Sequence, residues 1–274
     1  MPLDLDKNTV LKIFKTVDDL REEYGHKPLE RVAEAIRINT SRDILPKVLN
    51  DQSPGVFYFP DLNDKPWYEP TEFDELNKVF SLFEDNYKYI KEEYLATIKE
   101  KDLISYEEQI PTVREERKKS GEEDVLLPRE NWGTFSLMLG GREIPHACTR
   151  LPYANKLLTT LKNDHLAAGG AFFFSTLAPK THIPPHHDST NIRLTFHLGI
   201  KIPENCGIRV GREESGWDEG KCLIFNSTFK HEAWNWSDKQ RVCLIVDIWN
   251  PNLTPIERIA LDRIYNEHLA SRSV

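Results

Sequence analysis

The chain lacks most of the features that would place it quickly. No apolar run approaches the roughly 18 residues that a membrane span needs, so no membrane partner is expected. The N-terminal stretch MPLDLDKNTVLKIFK carries acids where a secretory signal has bases, and it has no apolar core. Basic residues are not in excess: 36 Lys and Arg stand against 44 Asp and Glu, a formal charge of −8. That balance argues against an extended nucleic-acid footprint. Only four cysteines occur, Cys148, Cys206, Cys222 and Cys243, and none forms a CxxC pair. Their spacing fits reduced thiols of a cytoplasmic protein better than a disulfide framework. Repeats and low-complexity tracts are also missing, and nothing signals an oligomeric state. What is present is globular. With 39% hydrophobic and 29% charged residues over 274 positions, the chain has the means to bury a core.

The first hundred residues read as helical. In TEFDELNKVFSLFEDNYKYIKEEYLATIKE, which Pro70 introduces, Leu76, Val79, Phe80, Phe83 and Tyr87 recur at helical spacing. VAEAIRINTSRDILPKVL predicts a shorter helix broken near Pro46. Residues 99–131 are rich in charge and have no clean period; a solvated linker is the plain expectation, a lid over a substrate the alternative. From Trp132 onward the pattern turns to β. AFFFSTL, NIRLTFHLGIKI, KCLIFNS and RVCLIVDIW are short β-branched and aromatic runs separated by Gly, Asn, Asp and Pro. Alternation puts Ile192, Leu194, Phe196, Leu198 and Ile200 on one face and Arg193, Thr195 and His197 on the other, as in a barrel with a polar lumen. Thr254 and Glu257 match a capping box with Pro255 at the first helical position. The expected organisation is a helical region over 1–130, with the charged segment at its end, and a β core over 131–274, together one structural unit.

One short stretch concentrates chemistry. THIPPHHDST, Thr181–Thr190, places His182, His186, His187 and Asp188 in what reads as a stiff loop with two prolines. In an extended backbone His186 and Asp188 share a face while His187 points away. A third ligand must come from a distant strand, and His231 in FNSTFKHEAW lies 45 positions on. Two imidazoles and one carboxylate on one face of an octahedron leave three positions open, the arrangement of non-haem Fe(II) oxygenases. Such tripeptides also occur in surface loops and helix caps, and His182 and His187 read as loop residues. Arg241, ten residues after His231, opens RVCLIVDIW. Its planar fork suits the far carboxylate of a dicarboxylate cosubstrate, although an exposed arginine at a strand start is the competing reading.

The block from about Ala171 to Thr254 resembles the core of the aspartyl/asparaginyl β-hydroxylase family of Fe(II)/2-oxoglutarate oxygenases. Weaker likeness extends to NWGTFSL at Asn131–Leu137 and PGVFYFPDLNDKPWY at Pro54–Tyr68. The resemblance implies an α+β fold: a double-stranded β-helix, a cupin-like jelly roll, with the helical N-terminal region and a C-terminal helix packed on it. It implies Fe(II) at His186, Asp188 and His231. It implies 2-oxoglutarate held at its distal carboxylate by Arg241 and Ser175, contacted by His197, in a pocket lined by Trp132, with O2 as the other cosubstrate. Three positions depart from the family's animal enzyme that acts on growth-factor-like domains. Asp188 stands where that enzyme has glycine. Thr195 stands where it has an arginine gripping the substrate carboxylate, and Cys148 lacks a partner cysteine seven residues on.

The retained Asp188 favours hydroxylation over halogenation, because related halogenases open a chloride site by replacing that carboxylate with a small residue. Desaturation and ring chemistry begin from the same hydrogen abstraction and stay open. The expected reaction is hydroxylation of an unactivated C–H bond in a small amino acid or natural-product intermediate, with release of succinate and CO2. Arg193, Arg142 and Arg209 are candidate substrate anchors, each equally readable as a structural salt-bridge residue. The alternatives are hydroxylation of a protein residue or a lipid acyl chain, and a cupin-like metal-binding module without turnover.

Overall fold

Period-two alternation dominates the C-terminal half, and the strands it predicts close into two facing antiparallel sheets. The computed structural model describes residues 5–41, 51–105, 130–162 and 164–269. Its strands are β1 (Trp67–Tyr68), β2 (Ile104–Ser105), β3 (Trp132–Leu139), β4 (Arg142–Glu143), β5 (Phe172–Leu177) and β6 (Thr181–His186). They continue as β7 (Arg193–Lys201), β8 (Cys206–Val210), β9 (Glu213–Ser215), β10 (Cys222–Phe225), β11 (His231–Asn235) and β12 (Arg241–Trp249). The larger sheet runs β1-β10-β7-β12-β5-β3-β2 with β4 on β3, and the smaller runs β6-β11-β8-β9. From β5 onward the chain shuttles between them, which makes the core a double-stranded β-helix, or jelly roll. Helices complete an α+β fold: α1 (Lys7–Tyr24), α2 (Glu30–Thr40), α3 (Asp74–Thr97), α4 (Pro145–Arg150), α5 (Pro152–Leu161) and α6 (Pro255–Ile264).

Local chemistry explains the helix ends. The Asp6 side chain accepts from the Thr9 backbone N–H at 2.9 Å to start α1, and Gly25, at φ +88°, ends it. The capping box at Thr254 and Glu257 forms as the spacing predicts. Other expectations need correction. Residues 51–69 of the supposedly helical first hundred are extended and irregular. The Asp64 carboxylate gathers the side-chain amides of Gln52, Asn191 and Asn226 and so holds this stretch on the jelly roll. Beyond Trp132, α4 and α5 were missed: each opens on a proline, and each is too short for a helical period to stand out among neighbouring apolar runs. The stiff segment THIPPH is strand β6, not a loop. The break near Pro46 and residues 106–129 of the charged segment lie outside the described residues; the segment's start supplies β2, which pairs with β3.

The two faces of the larger sheet bury different chemistry. Its outer face presents Phe172, Phe174, Phe196, Leu198, Leu244 and Val246 to Leu76, Val79, Phe80, Phe83, Ile90 and Tyr94 of α3. The Phe83 and Phe196 rings meet at 4.8 Å, and Tyr94 stacks on Phe174 at 4.4 Å. Its inner face, opposite Ile183, Ile208 and Val210 of the smaller sheet, carries Phe173, Ile245 and the polar groups of the lumen. The alternation in β7 therefore sorts as expected, except that Ile192 joins a separate cluster formed by α1, α2 and α6 with Phe57, Phe59 and Trp249. Among the described residues no helix is long and apolar enough to cross a membrane. All four cysteines are free thiols.

Phe196 is fully buried between Phe80 and Phe83. Phe196→Ala is expected to lower unfolding free energy by about 3–5 kcal/mol, read as a reduced urea midpoint at unchanged slope.

Candidate metal centre and lumen

Among the described residues strand β6 lies at the edge of the smaller sheet and pairs only with β11, so the missing N–H groups of Pro184 and Pro185 are tolerated there. In this pairing His231 stands directly opposite His186, with ring centroids 4.1 Å apart. Past the end of β6 the chain returns Asp188 to the same point, its N–H donating to the Ser227 carbonyl at 2.8 Å. One ligand atom from each of His186, Asp188 and His231 lies within 4.8 Å of the others.

The ring nitrogens are set by their other partners. His186 Nδ1 meets the Pro184 carbonyl at 2.8 Å, and His231 Nδ1 meets the Phe229 carbonyl at 2.9 Å. A carbonyl only accepts, so both Nδ1 atoms carry protons and both Nε2 atoms keep a lone pair for a metal. Burial by itself would push the Asp188 carboxyl up. His231, His186 and Arg193, with a hydrogen bond from Ser227, instead hold it below the usual carboxylate range. Thr195 Oγ1 donates to Ser227 Oγ at 3.0 Å, so a Thr195–Ser227 relay steadies the carboxylate. The sequence carried no signal for Ser227, a small polar residue far from its partner in the chain.

Deeper in the lumen, Arg241 is 1% exposed, which removes the reading of it as an exposed strand-start arginine. Its Nη1 reaches Ser175 Oγ at 3.4 Å, its Nε has no hydrogen-bond partner, and its guanidinium carbon lies 4.8 Å from the centre of the Trp217 ring. No ion pair with a carboxylate forms there among the described residues. Trp132 Nε1 donates to the same Ser175 Oγ at 3.1 Å, leaving the Ser175 hydroxyl proton for a further acceptor. Trp217 Nε1 donates to His197 Nδ1 at 3.1 Å. Burial, then Arg241 and His231, push the His197 imidazole well below its ordinary value against an opposing pull from Asp188, so it is neutral near pH 7. Trp217 was missed by sequence reasoning: GWDEGK reads as a turn, and nothing in it points inward.

The three other arginines separate. Arg193 is half-buried beside Asp188, and its guanidinium donates to the Gly169 carbonyl at 3.0 Å and Ser189 Oγ at 3.1 Å, with Asp247 at 3.6 Å. Arg209 is on the outward side of β8, paired with Glu214 and Glu232. Arg142 is exposed on β4. Of the candidate anchors, only Arg193 approaches the triad.

Removing an uncompensated buried charge relieves its desolvation. Arg241→Met is therefore expected to leave the metal-free protein as stable as the wild type or up to about 3 kcal/mol more stable in urea denaturation. A loss of stability would mean that the guanidinium is compensated within the chain.

The jelly roll, with a His-Asp-His face opening into its lumen, defines the class of this protein. Comparison of sequences sets the family: residues 84–251 match the model described as Aspartyl/Asparaginyl beta-hydroxylase, and the chain belongs to that family. It is 37% identical over 205 residues to the human aspartyl/asparaginyl beta-hydroxylase, covering 74% of this chain and 25% of that one. It is 31% identical over 264 residues to aspartate beta-hydroxylase domain-containing protein 2 of Xenopus tropicalis, covering 93% of this chain and 65% of that one. The chain thus spans a quarter of the first relative's length and about two thirds of the second's. A solved oxidoreductase of the 2OG-Fe(II) oxygenase family from Burkholderia pseudomallei overlaps loosely, with a TM-score of 0.34 and 12% identity over 48% of this chain and 74% of that one.

Proposed function

We propose that the protein is an Fe(II)- and 2-oxoglutarate-dependent oxygenase that hydroxylates an unactivated C–H bond. His186, Asp188 and His231 hold the metal, and Arg241, Ser175, His197 and Trp132 form the cosubstrate pocket. The observation that carries this reading is the buried Arg241 guanidinium without a carboxylate, in the lumen that also holds the triad. A buried cation is costly unless it is paired. A dianion with one end on the metal and the other on Arg241 supplies that pairing, and 2-oxoglutarate is such a dianion. A module that only bound metal would have no use for the buried cation.

Fe(II), 2-oxoglutarate and O2 together supply an oxidant able to break a C–H bond, with release of succinate and CO2. The chain's residues bind and orient. The Nε2 lone pairs of His186 and His231 and the Asp188 carboxylate would hold the metal, and three protein ligands would leave room for the cosubstrates. Arg241 presents a planar fork to the distal carboxylate, and the Ser175 hydroxyl is left to donate to it. Phe173, Phe225 and Ile245 line the lumen and exclude water.

For the substrate, the names of the relatives favour an aspartyl or asparaginyl residue of a protein over the small free amino acid expected from sequence. Thr195, engaged with Ser227, offers no cation for a substrate carboxylate. An asparaginyl or otherwise neutral side chain therefore fits better than an aspartyl one. An anaerobic titration with Fe(II) and then 2-oxoglutarate should develop the metal-to-ligand charge-transfer band. In Arg241→Met the 2-oxoglutarate dissociation constant should rise on the order of 100-fold. Succinate release with asparaginyl peptides, aspartyl peptides and free amino acids then ranks the substrates. Absence of the band in wild type would sink the oxygenase assignment, and turnover of free amino acids alone would restore the small-molecule reading.

A further inference from the structure

Trp217 stands in the loop between β9 and β10, is 5% exposed, and touches both His197 and Arg241. Its ring plane is nearly parallel to that of His197, at 14° with centroids 6.0 Å apart, and its Nε1 donates to His197 Nδ1 at 3.1 Å. An indole nitrogen only donates, so His197 Nδ1 must accept and the imidazole proton must sit on Nε2. The face of the same ring lies under the Arg241 guanidinium.

The loop that presents Trp217 is tied down on several sides. Glu219 accepts from the Ile202 backbone at 3.1 Å and from Tyr87 Oη at 3.0 Å, and it pairs with Lys91 of α3. Lys221 pairs with Glu84 of the same helix. Gly199 exchanges backbone hydrogen bonds with Gly220 and Lys221. A Cβ at Gly199 would lie 2.3 Å from the Asp218 carbonyl oxygen, so only glycine lets the loop lie this close to β7. An indole held this way is preorganised rather than a loosely packed filler.

We infer that Trp217 is a positioning residue for the cosubstrate: one indole fixes the proton of His197 on Nε2 and carries the Arg241 guanidinium on its face. The inference rests on the oxygenase reading for the identity of the ligand. With the proton on Nε2, His197 donates to an anion in the lumen. In the other tautomer Nε2 would turn a lone pair toward that anion and repel it.

The test uses the full chain and three proteins: wild type, Trp217→Phe and Trp217→Leu. Phenylalanine keeps an aromatic face near Arg241 and removes the N–H with the five-membered ring that carries it, whereas leucine removes the aromatic face as well. Nitrogen NMR of 15N-histidine-labelled, metal-free protein, with His197 assigned by loss of its signals in His197→Gln, reads the tautomer. Wild type should show the proton on Nε2, and Trp217→Phe a mixture of the two tautomers. In the anaerobic Fe(II) titration, Trp217→Phe should weaken 2-oxoglutarate binding about fivefold, the worth of one hydrogen bond. Trp217→Leu should weaken it about fivefold again through the lost cation–π contact. Fe(II) affinity should not change. If Trp217→Phe does not fold, benzothienylalanine at position 217, of the same shape without the N–H, replaces it. A wild-type tautomer and affinity in the aromatic variant without the N–H would overturn the inference. Failure of wild type to bind 2-oxoglutarate would overturn the oxygenase reading and the cosubstrate role together, while the NMR arm still decides whether Trp217 sets the tautomer.

Discussion

The antiparallel pairing of β6 with β11 fixes His231 opposite His186, and the rest of the site takes its place from that register. Side chains alternate across a strand, so a slip of one residue would send one of the two imidazoles to the outside of the jelly roll. The Pro184 and Phe229 carbonyls, each two residues before its histidine, turn the rings the same way. Asp188 is brought back by a backbone bond to Ser227, in the connection between β10 and β11. The three candidate ligands are thus placed by main-chain geometry before any metal contributes.

Around this register, the larger sheet separates stability from function by face. Its outer face is sealed by aromatic contacts with α3, which leaves the inner face free to carry charge and hydrogen-bonding groups. Helix α3 has a second task. Tyr87 and Lys91 hold the loop that carries Trp217, so one helix packs the core and steadies the far wall of the lumen. The arrangement tolerates a buried guanidinium with an unpartnered Nε. That is a destabilising feature of the empty protein, and it is the kind of local conflict expected where binding, rather than folding, has shaped a residue.

Much of this was legible in the chain because it is local. Period two in NIRLTFHLGI, the heptad-like spacing in α3 and the capping box at Thr254 each depend on neighbours a few positions apart. His186 and Asp188 declare themselves within three residues, the need for a third ligand beside a strand pointed to His231, and the family likeness supplied Ser175 and Trp132. What stayed hidden is set by contacts remote in sequence. The two prolines of THIPPH argue for a loop until β6 is known to be an edge strand. Arg209 looks like a ligand-binding cation until Glu214 and Glu232 are seen beside it. Trp217 and Ser227 have roles only through partners 20 and 32 residues away that no periodicity connects to them.

Strand β6 also bears on the protein's behaviour toward copies of itself. The outer side of an edge strand offers unpaired backbone groups on which another chain can build. In β6 two successive residues, Pro184 and Pro185, have no N–H to offer, and one of any two successive positions faces outward. A foreign strand therefore finds a gap in the ladder next to His186. The strand that ends on the candidate ligand His186 is thus also poorly suited to seed edge-to-edge pairing between copies.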